Sequence, residues 1–491
     1  WNDMINDDKV KLPRQTGTHP GGQAMKTEKI DDYTLKLIFA VPNPLFIEIM
    51  NRGGLPRATA WQLVPSAYLK KFHYKYNTAV TDVKDLLAHY DDRCNYPDMP
   101  HHGPWIVKEV KPGEFIRMER NPYYWKVDTE GNQLPYMDNF EAKAAKNVEL
   151  ISLSVIAGEL DFQMRELGIK DLAMHKEKAA KGGYRVMLWP QGDCNQAGIL
   201  FHYCNPDKSL AELMWKQKFR QAMSYAINKE RINDIVFLGL GRVRQIAMFS
   251  GGPEYASTRG QKVLKDWENQ CIEHDPEKAK KLLDEIGVKD VNNDGWREKP
   301  DGSALDMIID VETTDKYGIE AGQLMKEDFQ KVGLKWTLNV IDPAVMTQHI
   351  NECTSAFRAR GGAASGLFIA PAHWTPVEAM DYTIGGRPYG LWYQSGGKEG
   401  LPPPPGSWME KLQKIYGEAI LIVDTAKRHD RTLDGYQVHI DEGPFQIGTV
   451  GDTLMGVVVK NDLKNVVKTG IIGSWVFGFP GTADPEQWFK E

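Results

Sequence analysis

Three groups of residues could bind or react. The first is aromatic. Trp392 and Tyr393 lie in a Gly- and Pro-rich segment between Ile384 and Ser407, and Trp374 follows Arg358, Arg360 and a Gly/Ala-rich run. Flat apolar rings stack on sugar rings or peptide side chains, and an exposed guanidinium offers planar donors to hydroxyls or carboxylates. Core packing is the competing role for each ring. The second group is acidic. Asp290, Asn292, Asp294, Gly295, Glu298 and Asp301 follow the spacing of a calcium loop, with Asp in place of the closing bidentate Glu. Pro300 and Gly302 do not begin a helix, so a plain polar turn competes with calcium here. The third is the pair His101-His102, which without a further ligand nearby reads as a polar loop, not a metal site.

Patterns that carry catalysis are missing. The sequence has no G-x-S-x-G elbow, no H-E-x-x-H and no phosphate-cradling loop, and Gly239-Leu-Gly241 lacks the third glycine of a dinucleotide fingerprint. Binding without chemistry is therefore the expected activity, with no cofactor beyond the open question of calcium. The rivals are a carbohydrate-active enzyme with an aromatic cleft and a surface adhesion protein.

Composition narrows the partners. A net charge of −6 with 26% charged residues gives no basic stripe of the kind nucleic acid requires. The most apolar window, Gly470 to Phe479, is far shorter than the roughly 20 residues of a membrane helix. Five cysteines show no C-x-x-C spacing, and an odd number leaves at least one unpaired in a monomer. Cys194 with Cys204 is one candidate disulfide; buried free thiols are the alternative.

At 491 residues the chain exceeds what one core usually supports, so two or three domains are expected. Thr34 to Ala40 alternates Leu35, Leu37 and Phe39 with polar neighbours, the period of a half-buried strand. Trp105–Val110 and Phe115–Glu119 flank a Pro-Gly turn and read as a hairpin. A helix from Phe219 stops near Gly239, and a second starts at the Asp275 cap and ends at Gly287. Leu305–Val311, the helix through Ala321, Met325 and Phe329, and Leu334–Val340 form a βαβ unit with parallel strands. Met409 to Val423 marks another amphipathic helix. The class is α/β. The segment 384–407, ending in four prolines, reads as a long functional loop.

One run resists any generic explanation. Pro122, Tyr123, Tyr124, Trp125, Gly131, Asn132, Pro135 and Tyr136 fall within eighteen residues, Glu119 to Tyr136, and predict an ordered loop fixed by its aromatic side chains. This run resembles the signature block of the family 5 extracellular solute-binding proteins, the peptide, nickel and oligosaccharide receptors of ABC importers. Pro42–Phe46, Gly103–Val107, Ala157–Asp161, Phe219–Asn228, Gly396–Gly400 and Phe479–Trp488 resemble further blocks in the same order.

The resemblance implies a two-lobed periplasmic-binding-protein fold of the large three-domain type (class II, cluster C). It assigns 1–102 to the remnant of a small domain II, 103–197 and 450–491 to domain I, and 198–449 to domain III. Trp1 to Ile5 resembles a segment that normally follows an export signal and several strands, so residue 1 is expected not to be the natural start. Further implications are a periplasmic or cell-surface location, a monomer, an oligomeric solute and an ABC permease as partner. Membrane association would come only through the permease or a lost lipid anchor. The resemblance also implies chain crossings near Leu200 and Gly448 that form a hinge; Tyr203 and Asn205 at the first of them, and Trp61 in the small domain, join the candidate ligand contacts. Peptide receptors of this family place an Asp where Arg358 to Gly366 stands here, and its absence favours oligosaccharides over free peptides.

Overall fold

The computed structural model describes residues 2–4, 6–10, 18, 20–50, 65–91, 98–100, 102–359, 366–368, 370–471 and 483–491. The chain folds as two compact units. One comprises Trp1–Ala40, Ile47–Pro190 and Met455–Glu491, the other Val41–Phe46 and Gln191–Leu454.

The second unit is built on a six-stranded mixed sheet. Asp306–Glu312 pairs parallel with Lys335–Ile341, and the helix Lys316–Lys331 between them buries Ala321, Met325 and Phe329. This is the expected βαβ unit. Phe357–Ala359 lies parallel on the other side of Asp306–Glu312, with Ile309 opposite Phe357. Ala197–Phe201, Gln446–Gly451 and Arg242–Val243 then continue the sheet antiparallel. Ile199, Phe201, Ile309, Val311, Phe357 and Ile447 are fully buried, as expected of strands covered on both faces.

Helix punctuation follows side-chain capping. Asp275 accepts from the Lys278 amide at 2.9 Å, Pro276 opens the helix Pro276–Glu285, and Gly287 takes φ 82° just beyond. The single helix expected from Phe219 to Gly239 is instead two, Gln217–Ala226 and Lys229–Val236. Asn228 causes the break, its side chain accepting from the Arg231 amide at 2.9 Å as the cap of the second. The predicted helix at Met409 runs Trp408–Ala419 and stops short of Val423, which is exposed.

In the first unit the expected hairpin forms from Trp105–Lys111 and Phe115–Arg120, with Gly113 at φ 76° in its turn and Asn139–Lys143 as a third strand. Among the described residues Leu35–Ile38 pairs only with Lys26–Lys29, and Leu35 and Ile38 are exposed. The alternation predicts half-burial, but a two-stranded ribbon has no covered face of its own. In the aromatic run, Tyr124 is buried and Tyr136 donates to Asp128 Oδ2 at 2.7 Å, while Tyr123 and Trp125 project to solvent. Part of the run fixes the loop and part does not. Among the described residues, no helix is long and apolar enough to cross a membrane.

Two sequence expectations are corrected here. Cys204 pairs with Cys353, not with Cys194, at a Cα separation of 5.7 Å. Cys204 follows the strand Ala197–Phe201 and Cys353 precedes its neighbour Phe357–Ala359, so strand pairing brings together residues 149 apart. Cys194 and Cys271 are buried free thiols. The segment 384–407 is likewise not one loop, because Arg387–Gln394 is a helix with Pro388 in its first turn, where a missing amide costs nothing.

Candidate functional site

Parallel strands leave their carboxyl ends open for binding, and in this sheet those ends carry charge. Arg358, 3% exposed, is the register neighbour of Asp310 on the adjacent strand. Its Nη2 donates to Glu312, and its Nη1 reaches Asp381 at 3.2 Å to the carbonyl and 3.4 Å to Oδ2. A buried guanidinium requires such partners, since an unmatched charge away from water is costly. Both carboxylates keep contact with solvent, at 27% for the Glu312 side chain and 45% for Asp381.

Beside them, Asp310 Oδ1 accepts from Asn339 Nδ2 at 2.8 Å and Oδ2 pairs with His349 Nδ1 at 2.9 Å. His202 is buried, with Nδ1 donating to the Ser355 carbonyl at 2.7 Å. Burial, and then the nearby Arg358 cation, lowers its pKa to about 4, so the ring is neutral. The disulfide and Asn205 brace the same corner. Asn205 Nδ2 donates to the Cys353 and Thr354 carbonyls at 3.2 and 3.3 Å.

The arrangement is an array of donors and acceptors with matched partners. A His–Asp pair alone does not make a nucleophile, and among the described residues no hydroxyl or thiol bonds to the His349 ring. Fixed charges with matched partners can orient a polar solute without reacting with it.

The structure places the residues singled out in sequence differently from this array. Trp374 has no exposed surface: its ring meets Trp267 edge-on at 5.5 Å, and its carbonyl accepts from His439 Nε2 at 2.9 Å. Tyr203, 2% exposed, packs against Trp215 and Trp408 at 4.9 and 5.4 Å and donates to the Phe445 carbonyl. Both are core rings in this structure, the competing role named above. Asn205 supports a turn, accepting from the Asp207 amide at 2.9 Å. Trp392 and Tyr393 sit half-buried on the helix Arg387–Gln394, Trp392 beneath Gly397 and Tyr393 6.2 Å from Tyr416. Arg360, Trp61 and His101 lie outside the described residues.

The acidic loop folds on itself. Gly295 N donates to Asp290 Oδ2 at 2.9 Å, and Asn292 Nδ2 bridges Asp294 and Glu298 at 3.1 Å each. Asp301 turns away to Ser303. Among the described residues, no group of three or more His, Cys, Asp or Glu side chains is arranged to hold a metal.

Asp310, Glu312, His349 and Asp381 were not singled out in sequence. The signal was there: Asp310 and Glu312 end the first strand of a recognised βαβ unit, and strand ends are where such folds bind.

The profile of the bacterial extracellular solute-binding proteins, family 5 Middle, matches residues 1–366. The chain belongs to this family. Among curated family 5 relatives, the periplasmic alpha-galactoside-binding protein of Rhizobium meliloti is 25% identical over 358 residues, covering 70% of this chain and 48% of its own. The oligopeptide-binding protein AppA of Bacillus subtilis is 25% identical over 297 residues, 58% of this chain and 50% of its own. The chain thus spans about half the length of the curated relatives it matches. Solved family 5 structures share the fold. An oligopeptide-binding protein OppA superposes with TM-score 0.72 at 29% identity, over 100% of this chain and 78% of that one. MelB from Agrobacterium fabrum, solved with stachyose, gives TM-score 0.70 at 20% identity, over 100% and 71%.

Proposed function

We propose that this protein is an extracytoplasmic receptor that captures an oligosaccharide- or oligopeptide-sized solute and hands it unchanged to an ABC permease. The observation that carries the reading is the charge array around Arg358, held at the carboxyl ends of parallel strands in a chain of family 5. Arg358 is already matched by Glu312 and Asp381, so the array suits hydroxyl groups that both donate and accept better than a lone charged terminus. Oligosaccharides are accordingly the first solutes to test, in line with the alpha-galactosides and stachyose of the relatives' names. The Cys204–Cys353 disulfide supports an oxidising, extracytoplasmic location.

Mechanism follows from linkage. A solute that binds a closed form better than an open one shifts the population toward closure, and the permease reads that form. Thermal shift and calorimetric titration with stachyose and with a nonapeptide test the reading. The expected result is a rise in melting temperature with intact solute recovered afterwards. Release of hydrolysed sugar would overturn it in favour of an enzyme.

A further inference from the structure

The loop with calcium-like spacing forms one wall of a cleft of about 500 Å3 in the second unit. Four cations line it, Lys280, Lys289, Arg297 and Lys331, against two carboxylates, Asp284 and Asp290. Asp284 Oδ1 accepts from Arg297 Nη1 at 2.6 Å and Asp290 Oδ2 from the Gly295 amide at 2.9 Å, while Asp290 Oδ1 is shut off from solvent with no partner. Two of the cations are matched as well. Lys280 pairs with Glu277 at 2.9 Å and Lys331 with the buried Asp328 at 2.8 Å. The other two keep capacity to spare. Arg297 donates through Nε to the Val332 carbonyl at 2.8 Å and through Nη1 to the Val288 carbonyl at 2.6 Å. Among the described residues its Nη2 makes no hydrogen bond, and Lys289 Nζ has neither a hydrogen bond nor an ion pair. Val332 follows the helix Lys316–Lys331, whose last carbonyls need donors, which accounts for Nε and leaves Nη2 without a role.

The lining is polar. Val332 is its one apolar side chain among the described residues, and it is buried. Gly333 takes φ 78°, and a Cβ there would meet Arg297 Cγ at 3.3 Å, so glycine leaves room beside the arginine. The cleft also stands apart from the Arg358 array. Val332 and Gly333 come just before the strand Lys335–Ile341, at the amino ends of the parallel pair, whereas Glu312 closes the carboxyl end of its neighbour. Seven-residue strands separate the two ends by roughly 20 Å.

We propose that this cleft is a second binding site, for a sugar-sized organic anion whose carboxylate or phosphate bridges Lys289 and Arg297. A guanidinium with an unused nitrogen and an unpaired ammonium both favour anionic oxygens, and such charge-assisted bonds are about twice as strong as neutral ones. The volume is that of a small-molecule site, and the polar walls suit a hydroxylated body better than an apolar one. The inference does not depend on the receptor reading.

Calorimetric titration of the full chain with D-glucuronate and with glycerol 3-phosphate tests it, beside uncharged D-glucose and glycerol. At least one anion should bind saturably, with a dissociation constant of about 1 mM or tighter. Binding of glucuronate alone identifies a carboxylate ligand, and binding of glycerol 3-phosphate alone a phosphate. Lys289→Glu removes no bond within the fold and reverses a charge in the cleft, so it should weaken the anion about tenfold. Arg297→Lys keeps the charge without the fork and should weaken it about threefold. Should Arg297→Lys fail to fold, Lys289→Glu decides alone. Lys262→Glu makes the same charge change on an exposed helix outside the cleft and should leave affinity within about twofold. Heat from D-glucose or glycerol should be the same in wild type and Lys289→Glu. No binding of either anion, unchanged affinity in Lys289→Glu, or an equal loss in Lys262→Glu would overturn the proposal. So would loss of D-glucose binding in Lys289→Glu, because the cleft would then read the hydroxyls and not the charge.

Discussion

Arg358 and Glu312 form an ion pair across adjacent parallel strands, the arginine buried and the carboxylate partly open to solvent. Removing the guanidinium leaves Glu312 and Asp381 without their shared cation. Arg358→Ala should lower unfolding free energy by about 2–4 kcal/mol, below a fully buried pair because water reaches both carboxylates. Arg358→Lys keeps the charge but not the planar fork, so it should recover stability more than solute affinity. Urea unfolding beside calorimetric titration separates the two. Unchanged affinity in Arg358→Ala would remove the array from the binding site.

The disulfide makes a separate prediction. Cys204–Cys353 closes a span of 149 residues, and cross-linking a loop that long is worth about 2–5 kcal/mol through the unfolded chain. Reductant should lower the melting temperature by several degrees, and Cys204→Ser should start at that lower value and ignore reductant. Cys194→Ser should keep the full response to reductant, since Cys194 is a buried free thiol. Calorimetry with and without dithiothreitol decides.

How much could be read without coordinates depends on how local the cause is. The Asp275 cap, the Pro-Gly hairpin turn and the βαβ unit rest on neighbouring residues and stand in the structure. The break at Asn228 is equally local and was missed, because the apolar period runs across it while the cap acts through one side-chain bond. Pairing of Cys204 with Cys353 depends on which strands lie side by side, which no spacing reveals. The same holds for the site. Arg358 was noticed, but Asp381 and His349 join it only through the fold, and Trp374 drew attention by its type although packing buries it.

Trp374 and Trp392 should therefore behave differently. Trp374 is enclosed by Trp267 and the His439 contact, and Trp374→Ala should cost about 3–5 kcal/mol, as large-to-small changes in a core do. Trp392 is half-buried, and Trp392→Ala should cost about 1–2 kcal/mol of stability, less than full burial would imply. If Trp392 also stacks on the solute, its loss weakens binding at least fivefold in titration with stachyose. Equal stability losses in the two variants would contradict the packing described.

Acid should destabilise the protein through two histidines that are buried neutral. His202 and His439 both have pKa values lowered by burial to about 4, against an ordinary value of 6.5. A depressed folded value means that the unfolded chain binds the extra proton first. Between pH 6.5 and 4 each histidine thus contributes one more proton to the unfolded state, and stability falls with pH by about 1.4 kcal/mol per pH unit per group. Above pH 6.5 neither titrates in either state, and the contribution is complete. His439→Gln keeps a donor for the Trp374 carbonyl without a titrating ring, so its stability should be lower at pH 7 but flatter toward pH 4.5. Urea midpoints at half-unit pH steps would show this, and identical slopes for wild type and His439→Gln would mean that His439 is reached by protons without unfolding.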